Sequence, residues 1–439
     1  MTKRRDFLRY AGAAGAMLAS AGFSSLGWAG SNTSSTTSNY PGVPANTGIR
    51  GRVVVIGGGM AGATVAKYLR LWGGTGIEVT LIERESAYTS SIMSNLVLTG
   101  QRTLDSLKFK YDNLVSRYGV QMLFGEVRDI DQTNRFVTLS DGRQQAYDRL
   151  VIAPGIQFDT LPGLDSLEAQ AKVPHAWKAG EQTTALRNMI TAMPGGGVFV
   201  MSIPAKPYRC PPGPYERACV VADWLKRNRP GSKVIVLDAN PGITAEVHTF
   251  TNAFQVTHKD VIEYHPGVQI TGVDASAMSV TTNIGTIKGN VLNLIPPHRA
   301  GKVITANNLA DVEGKWTSVN VLSYEAISAP KIHVIGDASA TAQPKAGHIA
   351  NQEAKVCADA ITRLLAGKEP DPAPITNSAC YSPITASTAS WLTAVYAYDS
   401  TSRGMKVVAG SSGEASAPNG DNYEDMSKWF KTLMNDSFA

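Results

Sequence analysis

The stretch VVVIGGGMAGATVAKYLR, Val53 to Arg70, constrains the chain more than any other part of it. Val53 to Ile56 read as a short buried strand, and Gly57, Gly59 and Gly62 follow in GxGxxG spacing before a helical pattern through Ala66 and Leu69. Gly57 permits the tight turn, Gly59 lets a pyrophosphate approach the backbone, and Gly62 lets the helix pack closely on the sheet. The helix N-terminus then offers partial positive charge to the phosphates. A second strand, IEVTLIE, ends in Glu83 about twenty residues after the last glycine, where a carboxylate accepts hydrogen bonds from ribose hydroxyls. An acidic residue there suits FAD or NAD rather than NADP.

Two later segments decide between them. DRLVIAPG (Asp148 to Gly155) and KIHVIGDAS (Lys331 to Ser339) resemble the strand-turn pieces of the pyridine-nucleotide:disulfide oxidoreductase superfamily. In that superfamily the second piece sets an aspartate against the flavin's ribityl chain, which makes Asp337 a flavin residue by resemblance. After it, a helix is expected from about Lys345, opened by Pro344 and Lys345, with Ala350, Ala354, Cys357, Ile361 and Leu364 on one face. Its N-terminus would favour an anionic reduced flavin. The expected cofactor-binding set is Gly57, Gly59, Met60, Ala61, Gly62, Glu83 and Arg84, then Ser91, Asn95, Ala153 and Gly155, and finally Gly336, Asp337, Lys345 and Ala346.

Between these pieces a strand, loop, helix, strand pattern recurs, with strands at Val198 to Met201 and Val234 to Leu237. The loop has lost its glycines. Ser202, Pro204, Lys206, Pro207, Tyr208 and Arg209 would obstruct a pyrophosphate, so this domain is expected to keep the dinucleotide fold without binding NAD. Cys210 stands there instead, before a Pro-Pro-Gly-Pro turn and Glu216 at the start of the next helix. The helix dipole and Arg209 should favour a Cys210 thiolate, and Glu216 is placed to move protons.

The first residues carry Arg4 and Arg5, then a weakly apolar run rich in Ala, Gly and Ser, and small residues at Gly27 and Ala29. This reads as a twin-arginine export signal over residues 1–29, and a periplasmic protein, rather than a membrane anchor. Residues 30–50, rich in Ser, Thr and Asn, are expected to form a flexible leader, with the fold beginning near Arg52. Most of the formal charge of +5 comes from the signal, which argues against a nucleic-acid partner, and no later run is apolar enough to span a membrane.

The four cysteines form no CxxC or CxxCH motif, so no zinc pattern, covalent haem or other metal site is expected. Cys219 and Cys357 lie in apolar helical stripes and read as small buried hydrophobes. Cys210 and Cys380 stand in polar, turn-rich segments, as a structural staple between domains or as a redox-active pair.

The segments VVVIGGGMAGA, YTSSIMSNLV, YRCPPGPYER, NLIPPHRAG, HVIGDAS, PKAGHIANQEAK and ACYSPIT together resemble the flavoprotein subunit of flavocytochrome c sulfide dehydrogenase, a relative of the sulfide:quinone oxidoreductases. The resemblance covers nearly the whole mature chain. It implies a catalytic disulfide between Cys210 and Cys380 over FAD, with Glu216 beside it, and a c-type cytochrome partner that takes the electrons from sulfide oxidation. The family pattern often has a flavin-linking cysteine where this chain has Ser91, and a hydroxyl is a far poorer nucleophile than a thiolate, so non-covalent FAD is expected. A sulfide:quinone oxidoreductase and a non-catalytic flavin subunit or sulfur carrier are the alternatives.

The expected fold class is α/β, with two Rossmann-like dinucleotide-binding domains, the FAD domain discontinuous, and a small C-terminal α+β domain. The boundaries read as 51–163 and 299–370 for the FAD domain, 164–298 for the second Rossmann domain, and 371–439 for the C-terminal interface domain. In this last part Trp391, Tyr396, Tyr398, Trp429 and Phe430 are expected either to pack a core or to meet the partner.

Overall fold

The computed structural model describes residues 39–439. The expected export signal, residues 1–29, lies outside them. Strand β1 (Gly51–Ile56) is paired in parallel with β2 (Ile77–Glu83) on one side and β4 (Arg149–Ile152) on the other. β3 (Gln121–Phe124) extends the sheet beyond β2, and β9 (Ala329–Val334) joins beyond β4, also in parallel. The resulting order, β9-β4-β1-β2-β3, is continued past β9 by two short antiparallel strands. Because β9 returns to this sheet only after the whole second domain, the first Rossmann domain is discontinuous. Helix α1 (Met60–Gly73) follows the glycine loop directly and is buried along most of its length.

The second parallel sheet runs β7 (Ile262–Pro266), β6 (Lys233–Asp238), β5 (Val198–Ile203), β8 (Val291–Leu294). It repeats the inner order of the first sheet, a central strand flanked by its successor and by a late strand. Helix α2 (Gly213–Asn228) follows β5, and the short α3 (Val247–Asn252) follows β6. The third unit is an antiparallel sheet of β10 (Ile375–Pro383), β11 (Ala389–Asp399) and β12 (Gly404–Val407), closed by the long helix α5 (Gly420–Phe438).

Two expectations are corrected here. Residues 40–50 are not loose: Val43 is buried, Thr75 N–H donates to Pro44 O at 2.9 Å, Thr47 Oγ1 donates to Gly73 O at 2.6 Å, and the Tyr40 ring lies beneath Arg70. This stretch satisfies the carbonyl at the end of α1, which an exposed helix end would leave to water. The flavin-side helix α4 (Gly347–Leu365) begins at Gly347, not at Lys345. Its apolar face is nonetheless the expected one, with Ala350, Ala354, Cys357 and Ile361 buried and Leu364 half-buried, and it packs on α1.

Candidate functional site

The nucleotide side is built by steric necessity. Gly57 adopts φ 97°, and a Cβ on it would stand 2.4 Å from Ala153 O at the end of β4; a Cβ on Gly62 would stand 1.7 Å from Gly57 O. The loop is held from beneath by Glu83, whose carboxylate accepts from Gly58 N–H at 2.6 Å and from the Arg84 and Glu85 N–H groups at 2.7 and 3.1 Å. These bonds leave the carboxylate acceptor capacity for a ribose. The Arg84 side chain turns away to the surface, 3.9 Å from Glu126.

Opposite the glycine loop, β9 ends in a turn that carries Gly336 and Asp337. Gly336, at φ 71°, donates its N–H to Glu353 Oε2 at 2.6 Å. Asp337 Oδ1 is buried and has no hydrogen-bond partner within the protein. Burial raises the Asp337 pKa, while Arg209 and Lys345 pull it back down. A buried carboxylate oxygen without a donor is costly, and the ribityl hydroxyls of a flavin are donors of the right kind, so these residues fit FAD. Lys345 does not open the helix as expected. It stands in the preceding loop, and its ammonium donates to Asp337 O and Ser339 O at 2.8 and 2.9 Å and lies over the Trp316 ring. Ala346 is the N-cap of α4, and Met60 lies against Gly347 at the helix start.

The sulfur side draws on the other two units. Cys210 has a left-handed backbone, φ 60°; its N–H donates to Lys345 O at 2.7 Å and its carbonyl accepts from Gly213 N–H at 2.9 Å. The loop of the second domain is thereby pinned to the flavin-side loop, three residues before α2 begins. Cys380 lies on β10 in register with Leu392. Both cysteines are free thiols in this structure, and Cys380 is close enough to raise the pKa of Cys210.

The expected Cys210 thiolate is not favoured. Burial pushes this thiol up, Cys380 and Glu216 add to the rise, and together they outweigh Arg209 and the Gly213 N–H, which lower it. Cys380 is pushed up to about 12 by burial, then by Glu246 and Glu216. Glu216 sits in the first turn of α2, buried, with its carboxyl pushed up to about 8 by desolvation.

Asn95, expected among the cofactor-binding residues, is tied to the start of α2. Its amide donates to Glu216 Oε1 at 2.9 Å and to Gly213 O at 3.1 Å, and its oxygen accepts from Arg217 Nε at 2.9 Å, which engages the whole side chain. Arg217 is itself fully buried over the Trp177 ring and donates to Asn293 Oδ1 and to the carbonyls of His175 and Ala176. Arg217 and Asn293 fall within YRCPPGPYER and NLIPPHRAG but take no role from the sequence, and no motif marks Glu246. Ser91 Oγ accepts from Ala179 N–H at 3.3 Å, linking the loop before Asn95 to the second domain.

The second Rossmann unit is closed by its own side chains. Asp238 ends β6 as Glu83 ends β2, but it is fully buried and accepts from Tyr215 and Tyr264 hydroxyls, each at 2.8 Å, and from Asn240 N–H at 2.9 Å. Tyr208 is buried in the loop where a pyrophosphate would lie. In the third unit Trp391, Tyr396 and Phe430 are buried, Tyr398 is half-buried, and Trp429 packs on Tyr381, so these aromatics serve the core. Cys219 and Cys357 are fully buried in the apolar clusters.

Residues 183–296 match the family model for the central domain of the sulfide dehydrogenase (flavocytochrome c) flavoprotein chain, and residues 372–438 match that for the flavin-binding domain of flavocytochrome c sulphide dehydrogenase. Both matched domains are those of the flavoprotein of flavocytochrome c sulfide dehydrogenase. The second match covers the unit that carries Cys380, and the first covers the loop of Cys210. In solved structures the fold is shared with the sulfide:quinone oxidoreductase of the hyperthermophilic bacterium Aquifex aeolicus, at a TM-score of 0.68 and 17% identity over 88% of this chain and 92% of that one. Among curated proteins, the mitochondrial sulfide:quinone oxidoreductase of Mus musculus is 23% identical over 298 residues, 65% of each protein. The probable ferredoxin reductase CtmF of Castellaniella defragrans is 35% identical over 118 residues, 26% of this chain and 29% of that protein. Each of these curated relatives is matched over less than two thirds of its own length.

Proposed function

We propose that this flavoprotein oxidises hydrogen sulfide through a Cys210–Cys380 disulfide and passes the electrons by way of FAD to a c-type cytochrome. The observation that carries the reading is the convergence of Cys210, Cys380 and Glu216, drawn from two different units, in one site joined to the Asp337 turn through Lys345. Hydrosulfide attacks one sulfur of the disulfide; the S–S bond opens, leaving a persulfide on the attacked cysteine and a thiolate on the other. FAD, held between the glycine loop and Asp337 without a covalent bond at Ser91, supplies a two-electron acceptor when bound. Glu216, whose carboxyl is pushed up to about 8, holds a proton beside both sulfurs near neutral pH. Sulfane sulfur or polysulfide is the product class. The site would operate in the periplasm, after export on the twin-arginine signal.

The amphipathic stripe of α5 supports a cytochrome over a membrane quinone as acceptor. Its apolar residues Met426, Phe430, Leu433, Met434 and Phe438 are buried within the chain, which leaves this helix no apolar face for a membrane surface. Among the described residues, no helix is long and apolar enough to cross a membrane.

Sulfide added to the FAD-loaded protein without oxygen should bleach the flavin band, and Cys380→Ser should abolish bleaching while FAD stays bound. Normal reduction in that variant removes the disulfide mechanism. Reoxidation by cytochrome c is the expected second half; reoxidation by a quinone analogue alone would make the chain a sulfide:quinone oxidoreductase, and an unbleached wild type would leave a sulfur carrier or non-catalytic subunit.

A further inference from the structure

Glu246 belongs to no motif, yet it lies at the sulfur site. It precedes α3 in a left-handed conformation, φ 46°, which residues other than glycine adopt rarely. Its side chain is buried, and Oε1 accepts a 2.6 Å hydrogen bond from Ser382 Oγ. Ser382 stands two residues after Cys380 on β10, so the two side chains share one face of the strand. Ser390 lies across from Ser382 in the sheet; its hydroxyl pairs with Thr249 Oγ1 at 3.2 Å and also favours the ionised Glu246. Oε2 of Glu246 is left buried and without a hydrogen-bond partner.

An ionised carboxylate with one bare buried oxygen is costly, so the protonated form is favoured. Burial pushes it up to about 7; Glu414 adds to the rise, and Ser382 and Ser390 oppose it. The titratable groups around it are Glu216 and Cys219 on α2, Cys380 on β10 and Glu414 beside β11. Of the neighbouring acids, Glu246 bears on Cys380 more strongly than Glu216 does.

On the sulfide reading given above, one cysteine must leave when the disulfide opens, and a bare thiolate at Cys380 would be buried beside two carboxyls. We infer that Glu246 is the proton donor that lets Cys380 leave, so that hydrosulfide attacks at Cys210. In this step the new bond joins the hydrosulfide sulfur to the Cys210 sulfur, the S–S bond to Cys380 breaks, and the Glu246 proton passes to the Cys380 sulfur. The products are a persulfide on Cys210, a thiol on Cys380 and a carboxylate on Glu246. The negative charge that arrived with hydrosulfide ends on Glu246, the incoming sulfur is oxidised to the sulfane level, and the Cys380 sulfur is reduced. When the Cys380 sulfur is next needed as a nucleophile, the carboxylate takes the proton back.

The test compares anaerobic sulfide bleaching of the FAD-loaded full chain in wild type, Glu246→Gln and Ser382→Ala, from about pH 6 to about pH 9. Glu246→Gln should bleach about 100-fold more slowly with unchanged FAD content, the loss expected of a missing general acid. The ratio of wild-type to variant rates, which cancels the ionisation of sulfide itself, should fall as pH rises past about 7. Ser382→Ala removes a hydrogen bond that favours the carboxylate, so its midpoint should move to higher pH. A wild-type rate and pH profile in Glu246→Gln would overturn the inference. Should that variant fail to fold, an unmoved midpoint in Ser382→Ala would overturn it equally. A wild type that sulfide does not bleach sinks the sulfide reading as well, an outcome distinct from the loss of Glu246 alone.

Discussion

Gly62 shows how a single position can decide cofactor binding. A methyl group there would stand 1.7 Å from Gly57 O, a backbone atom that cannot swing aside as a side-chain tip can. Gly62→Ala should therefore shift the loop and weaken FAD retention about tenfold, the equivalent of an overpacking cost of about 1.4 kcal/mol. The flavin-to-protein absorbance ratio after gel filtration measures this; an unchanged ratio would mean the loop is not the phosphate cradle. Such glycines are legible in sequence because their reason is local. The acidity of Cys210 is not. Arg209 and the start of α2 are its chain neighbours, and both favour a thiolate, but burial outweighs them, and Cys380 adds to the rise from the far end of the chain. The ties of Asn95 were hidden for the same reason, since Glu216 and Arg217, which engage its amide, belong to another unit. Glu246 had no local signal at all: its meaning comes from Ser382.

At the scale of elements, β1, β2, β5, β6 and the apolar face of α4 stand where the pattern predicted them, whereas β3, β7 and β8 are not read from the sequence. The start of α4 differs by two residues because Lys345 finds better partners in the carbonyls of Asp337 and Ser339 than in a helical turn. The stripe of α5 is visible in sequence, but its partner is not. Phe438 stacks on Tyr88 at 5.1 Å and lies 5.7 Å from Phe109, and the last turn is tied down by Lys67, whose ammonium donates to Ala439 O at 2.6 Å. The C-terminal helix thus closes over the FAD unit. Phe438→Ala should cost about 3 kcal/mol of stability, the lower end for a buried phenylalanine, because a site near the chain end can partly collapse. Urea unfolding followed by far-UV circular dichroism gives the number; a loss below about 1 kcal/mol would show that α5 is not anchored through this ring.

Taken over the full chain, the two Rossmann units share a liability, because each buries ionisable groups in an uncharged form. Glu216, Glu246 and Glu353 have carboxyls pushed up by burial to about 8, 7 and 8, from an ordinary 4.5. Between those values the folded chain keeps protons that the unfolded chain has released, so stability falls as pH rises through the window and levels off once the folded carboxyls ionise. His175, His298 and His348 are pushed down by burial to about 4, 2 and 4, from an ordinary 6.5. Below 6.5 the unfolded chain takes up protons that the folded histidines refuse, so this set adds stability as pH climbs towards 6.5 and nothing more above it. The two sets oppose each other on the acid side, whereas above about pH 6.5 the carboxyls act alone. The Tm of the FAD-loaded protein should accordingly decline between about pH 6.5 and about pH 8, at fixed ionic strength. Glu353→Gln should flatten that decline, because glutamine has no proton to lose, while its carbonyl can still accept from Gly336 N–H. Scanning calorimetry across this range checks both. A Tm that keeps rising to pH 8, or a Glu353→Gln variant with the wild-type slope, would mean that these carboxyls are already ionised in the folded chain.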